Sequence, residues 1–159
     1  MNAVDLLVTD HRRMESLLKA LVEAGGDEKA KRFTEVADTL ATHVAIEEKI
    51  FYPAVKASRT EDILLESLEE HLSIKRVLAD LIALSPSDDT FDPKLHVLKE
   101  QVEHHHKEEE GDLFPKVRKL LSHERLSELG EAMEAEQKKL QAGKPRCAVL
   151  GQTGEAASV

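Results

Sequence analysis

The sequence has no tryptophan, one cysteine (Cys147), one tyrosine (Tyr52) and no long apolar run. A lone cysteine forms no internal disulfide, which fits a reducing, cytoplasmic location. Cys147 also lies far along the chain from the candidate metal ligands identified below, so thiolate ligation is not expected. Aromatic residues make up only 3% of the chain, and Leu, Ala, Glu and Lys dominate, a balance that favours helix over strand. No segment approaches the roughly 20 apolar residues that a membrane span needs. Positive charge is in deficit: 22 Lys and Arg face 31 Asp and Glu, for a formal charge of -9. That balance repels phosphate backbones and anionic lipid, so neither nucleic acid nor membrane is an expected partner. The opening MNAVDLLVTDH has no basic start and no apolar core, so no signal peptide is expected.

Apolar residues recur at helical spacing in four long stretches. The first covers about residues 3–24, with Val4, Leu7, Met14, Leu18 and Leu21 on one stripe. Asn2 is its expected cap and Gly25-Gly26 its stop. The second runs from about Glu28 toward Pro53. The third follows Thr60 as cap. The fourth opens with Asp92 as cap and Pro93 at the first helical position. It reaches Val117. A shorter helix is expected near residues 124–140. Four helices of some 20 residues with short connections give an up-down-up-down bundle with the extra C-terminal helix packed outside. The expected division is 1–122 for the all-α bundle, 123–142 for the accessory helix and 143–159 for a disordered tail.

The chain contains an internal repeat. HVAIEEKIFYPAV from His43 aligns without gaps to HHKEEEGDLFPKV from His105. His, Glu at +4, Glu at +5, an aromatic at +9, Pro at +10 and Val at +12 all match. His11 precedes the first copy and His71 precedes the second. The chain therefore reads as two helical hairpins, each contributing one His and then a HxxxE pair.

Six of the eight histidines have Glu at +4, so a single HxxxE discriminates little; most such pairs are solvent-facing neighbours one turn apart. Position on the apolar stripe is the sharper test. His11 and His71 replace apolar residues on their stripes, and His43 and Glu47 border theirs. In the fourth helix the repeat selects His105 and Glu109, leaving His104 and His106 as flanking residues or as neighbours that support the ligands, with direct ligation the lesser alternative. Glu15, one turn from His11, lies at the edge of its stripe. Four buried imidazoles and two buried carboxylates are costly unless paired, hydrogen-bonded or bound to cations. Imidazole and carboxylate ligands without thiolate suit a pair of iron or manganese ions.

With DHRRME at His11, HVAIEEKIFYP at His43, EEHLSIKRVL at His71 and HHKEEEGDLFP at His105, the sequence resembles the hemerythrin-like, or HHE, cation-binding family over about residues 4–120. The resemblance implies a four-helix bundle around two iron ions in an oxo- or hydroxo-bridged centre. It implies that His11 and His43 hold one iron, His71 and His105 the other, and that Glu47 and Glu109 bridge. The oxygen carriers of that family have a further His one turn after the third-helix His; here the position is Lys75. This departure favours reaction with hydrogen peroxide or O2, a catalase-like or oxidative-stress role, over reversible oxygen carriage. Binding or sensing of iron, oxygen or nitric oxide without catalysis is the alternative. Tyr52 corresponds to Phe114 in the repeat. On an undistorted helix it points away from the ligands and packs; if Pro53 distorts the helix, Tyr52 is the catalytic candidate beside the metal.

Overall fold

In the computed structural model, which describes residues 1–159, the chain forms helices and turns without a strand. Helix α1 spans Ala3–Glu23. The Asn2 side chain caps it by accepting from the Asp5 amide, one of the amides a helix start leaves without an internal partner. Helix α2, Gly26–Ile46, follows almost at once. Gly26 stands at φ 59°, a left-handed conformation that glycine takes without steric cost. The glycine pair therefore ends one helix and begins the next, and α2 opens before Glu28.

Both long motif-bearing helices are interrupted, the second by the distortion left open at Pro53 and the fourth where a continuous helix to Val117 was expected. A π turn, Glu47–Phe51, leads from α2 into α3, Tyr52–Val55. Helix α4 spans Glu61–Ala83 and α5 spans Phe91–Glu108. A second π turn, Glu109–Leu113, leads into α6, Phe114–Leu120. The two interruptions share a cause. Pro53 and Pro115 lack an amide hydrogen, and their rings crowd the carbonyl four residues back. The helix widens by one residue to relieve this. The Tyr52 amide bonds to the Glu47 carbonyl, and the Phe114 amide to the Glu109 carbonyl, five residues apart instead of four.

Two expected caps work differently. The Thr60 side chain, fully buried, donates to the Val55 carbonyl and accepts from the Ala57 amide, pinning the turn before α4 instead of capping it. Helix α5 starts at Phe91, and Asp88 accepts from both the amide and the hydroxyl of Thr90. Pro93 then sits within the first turn, where a missing amide hydrogen costs nothing.

The core has two apolar halves. One gathers Leu18, Leu21, Val36, Leu40, Leu78, Leu81, Phe91 and Leu98; the other gathers Leu7, Phe51, Leu64, Leu68, Leu113, Phe114 and Val117. Along α1 and α4 the chain passes from the second half to the first, and along α2 and α5 it passes back. The four helices therefore run up-down-up-down, and each crosses the plane between the halves near one of the expected ligand residues. Each fully buried Leu or Phe stabilises the bundle by about 1.5–3 kcal/mol.

Helix α7, His123–Gln141, packs outside against α1 and α2 through Leu126, Leu129 and Met133. Gly130 permits the close approach: a Cβ there would lie 2.2 Å from the Met1 carbonyl oxygen. Residues 143–159 depart from the expected disorder. They contain helix α8, Arg146–Val149, whose Val149 is buried in the core. Arg146 pairs with Asp38 at 2.8 Å, and Arg76 donates to the Thr153 carbonyl at 2.9 Å. Val149 in one core half, Ala156, Ala157 and Val159 partly buried against the other, and a few polar ties leave no periodicity to read. No helix is long and apolar enough to cross a membrane.

Candidate metal centre

Between the two apolar halves lies one polar layer. It receives His11 from α1, His43 from α2, Glu47 from the first π turn, His71 from α4, His105 from α5 and Glu109 from the second π turn. Each of the six is at most 4% exposed. Glu47 spans the layer: Oε1 is 3.2 Å from His43 Nε2, and Oε2 is 3.0 Å from His71 Nε2. Glu109 Oε1 lies 3.4 Å from His11 Nε2 and 3.2 Å from His105 Nε2. The Nε2 atoms of His71 and His105 are 3.0 Å apart. Neighbouring ligands of one ion stand about 3 Å apart when each is about 2.1 Å from it.

Behind each imidazole, Nδ1 faces a carboxylate. Glu110 lies 2.8 Å from His11, Glu48 2.9 Å from His71 and Glu70 2.9 Å from His105. Asp10 lies 3.5 Å from His43 and is itself held at 2.6 Å by Gln137 of α7. A carboxylate on Nδ1 fixes the tautomer that presents the Nε2 lone pair inward. The arrangement repeats with the hairpins: an acid directly before His11 or His71 serves the next helix, and an acid directly after Glu47 or Glu109 serves an earlier or later one. Asp10 and Glu70 were missed in the sequence, although the dipeptides Asp10-His11 and Glu70-His71 were the available signal. Lys75 is buried, its ammonium 2.7 Å from Glu48 Oε1, and so bears on His71 only through Glu48.

Tyr52 has no exposed surface. Its hydroxyl is 2.9 Å from Glu109 Oε2, 3.4 Å from Glu47 Oε2, 3.2 Å from His71 Nε2 and 3.4 Å from His105 Nε2. The packing reading of an undistorted helix is therefore corrected: the π turn swings Tyr52 into the layer. Its counterpart Phe114 lies against His11, ring centroids 5.7 Å apart, and carries no hydroxyl. His106, expected to flank, is 3% exposed and stacks on His11 at 3.7 Å with the rings 8° from parallel. His104 does flank, exposed and 3.0 Å from Glu108. Glu15 reaches the site only through Arg12, which bonds both Glu15 and Glu110.

The residues fit a metal on a test internal to the structure. His11 Nε2, His43 Nε2, His106 Nδ1, Glu47 Oε1 and Glu109 Oε1 are all buried without a hydrogen-bond partner. Buried polar atoms are rarely left so, and of the six in the chain only Gln101 Oε1 is not an imidazole or carboxylate atom of the type that donates to metal. With protons alone, burial opposes charge on His43, but Glu47 and Asp10 outweigh it and raise its pKa to about 10. Burial and the Glu109 charge act in the same opposed way on His105, which ends well above the usual imidazole value. Burial, then the charges of Glu109 and Glu47, lift the Tyr52 phenol well above its usual value. Burial and the neighbouring imidazoles of His11 and His43 push His106 down, so it stays neutral.

An antiparallel four-helix bundle with a buried layer of imidazoles and carboxylates defines a helical cation-binding domain. Comparison with known proteins agrees. The model of the hemerythrin HHE cation binding domain matches residues 2–117, and an overlapping match covers residues 67–148. The chain belongs to that family. An uncharacterized protein of Mycobacterium tuberculosis (strain H37Rv) is 28% identical over 138 residues, covering 85% of this chain and 84% of the relative. A DNA nickase of Nostoc sp. is 29% identical over 142 residues, 89% of this chain. The aligned part is 40% of that relative's length. The crystal structure of a hemerythrin HHE cation binding domain-containing protein from Mycobacterium kansasii superimposes with a TM-score of 0.82. It is 26% identical and covers 96% of this chain and 99% of its own.

Proposed function

We propose that the chain holds two iron ions side by side and reacts with hydrogen peroxide. The observation that carries this reading is the convergence of four imidazole nitrogens and two carboxylates in a closed layer, with buried donor atoms that have no other partner. In this reading His11 and His43 would hold one ion, His71 and His105 the other, and Glu47 and Glu109 would serve both. Two irons bound there would supply the two-electron chemistry that turns two molecules of hydrogen peroxide into two of water and one of O2. The chain's own residues handle protons and orientation. Tyr52 is a neutral hydroxyl beside the His71–His105 half and can donate to a small oxygen species there. Glu48 and Lys75 behind His71 hold that imidazole in place and offer a proton a path away from it.

Cleavage of DNA, the activity in the name of the Nostoc relative, is not carried over. The acidic charge of -9 repels a phosphate backbone, and most of that relative's length lies outside the similarity. The test is metal analysis and a visible spectrum of the purified protein, followed by addition of peroxide with O2 release recorded. About two irons per chain and steady O2 release are expected, with both lost in Glu47→Ala. A di-iron protein that releases no O2 but takes up O2 or nitric oxide reversibly would overturn the peroxide chemistry in favour of binding or sensing.

A further inference from the structure

The sides of the layer are closed in different ways. Three polar hollows approach it from outside. One lies beside Glu48 and Lys75, the second beside Glu70 and His104. In each of these, the carboxylate lining the hollow is already bonded to an expected ligand, Glu48 to His71 and Glu70 to His105. Moving either carboxylate aside would release its imidazole. The third hollow, about 360 Å³, is lined by His106 together with Arg12, Glu15, Glu103, Lys107 and Glu110. Glu110 is likewise tied, to His11 and to Arg12. His106 is not tied in this way: it is 3% exposed, and its Nδ1 is buried without a partner.

The His106 ring lies parallel to that of His11 at 3.7 Å and edge-on to that of His43 at 5.3 Å. One ring therefore stands between this hollow and two of the expected ligands. Packing does not call for an imidazole there. At the matching place in the first motif copy, directly after His43, the buried residue is Val44. A buried nitrogen without a partner is costly, and a hydrogen-bonding molecule beside it offsets that cost. We propose that His106 is the gate through which a small hydrogen-bonding molecule, of the size and polarity of hydrogen peroxide, passes from this hollow to the His11–His43 side of the layer. The inference rests on the peroxide reading above and names its entrance. The stacked ring keeps bulk water out. Turned aside, it joins the hollow to the layer without breaking a bond at Nδ1, and its ring nitrogens offer a donor and an acceptor to the molecule that enters. The layer then has a hydrogen-bonding group outside the six ligands at each end, His106 beside His11 and His43, and Tyr52 beside His71 and His105.

Tyr52 is the only tyrosine and there is no tryptophan, so the ultraviolet emission of the protein reports from inside the layer. Metal-free wild type is expected to resist quenching by acrylamide, a small neutral probe. His106→Gly opens the hollow into the layer and is expected to raise the quenching constant several-fold. His106→Phe keeps the ring and its stack on His11 and is expected to stay at the wild-type value. In iron-loaded protein, entry of azide is followed as a change in visible absorption. His106→Phe is expected to slow it about tenfold, the effect on a barrier of losing one hydrogen bond. His106→Asn, which keeps an amide nitrogen near the place of Nδ1, is expected to enter at close to the wild-type rate. Helical circular dichroism and iron content show that each variant is folded and loaded. Wild-type azide entry in His106→Phe, loss of its iron, or wild-type quenching in His106→Gly overturns the gate. A wild type that takes up no iron overturns the paired-metal reading instead, and the quenching of metal-free protein then decides the gate alone.

Discussion

A buried imidazole that carries a proton must have a carboxylate close by, and His43 shows how strongly. Burial opposes its charge, yet Glu47 and Asp10 raise its pKa to about 10 from the ordinary 6.5. A ligand imidazole has to be neutral, so metal and proton compete for the same nitrogen. Metal-free protein in weak buffer at neutral pH is therefore expected to acidify when ferrous or manganous ion is added, and its apparent affinity should fall as the pH is lowered. A titration with no proton release would contradict this. The same shift has a consequence for stability. A pKa raised on folding stabilises the metal-free fold fully below pH 6.5, and that contribution is lost as pH rises through about 10. The melting temperature of metal-free protein should decline across that window. At this scale the sequence was readable where a polar residue interrupts an apolar stripe, as His11 and His71 do. It was opaque for His106, whose place at the stripe's edge looks the same whether the ring faces solvent or its neighbour His11.

Among the elements, the π turns matter most, because each begins at a carboxylate expected to hold metal and is forced by a proline six residues later. The proline in the repeated motif was visible; the rotation it imposes on Tyr52 was not, since it depends on how the helix absorbs one extra residue. The helices themselves were legible from their stripes, and their ends less so. Gly26, Thr60 and Asp88 work through backbone geometry and side-chain bonds that periodicity does not record. Helix α7 offers a test of packing by a single atom. A Cβ on Gly130 would lie 2.2 Å from the Met1 carbonyl oxygen, which neither backbone can absorb in place. Gly130→Ala is expected to destabilise the protein by about 1–3 kcal/mol, as overpacking does. For a chain of this size that lowers the melting temperature by about 2–4 °C per kcal/mol, while metal content stays at its wild-type value because α7 carries none of the expected ligands. An unchanged melting curve would show that α7 is not seated as described.

For the molecule as a unit, an ion bound only by the folded chain stabilises it by mass action, about 4 kcal/mol when free metal exceeds its dissociation constant a thousandfold. Protein stripped of metal is expected to melt well below the loaded form, and coincident melting curves would deny the ions a structural part. The polar layer also separates the two apolar halves, so, on the paired-metal reading, removing the ions should loosen the contact between them before either half melts. The alternation of helix direction has one more implication. The turn between α3 and α4 divides the chain into two hairpins, and each carries two of the four expected ligand imidazoles and one of the two expected carboxylates, which reaches across to the other hairpin's imidazoles. Cut at Ala57–Arg59 into two separate polypeptides, the halves should remain apart as unstable hairpins in chelator and reassociate when iron is added. The centre would then act as a metal-operated clasp between two pieces of protein, detectable as an iron-dependent doubling of mass in light scattering.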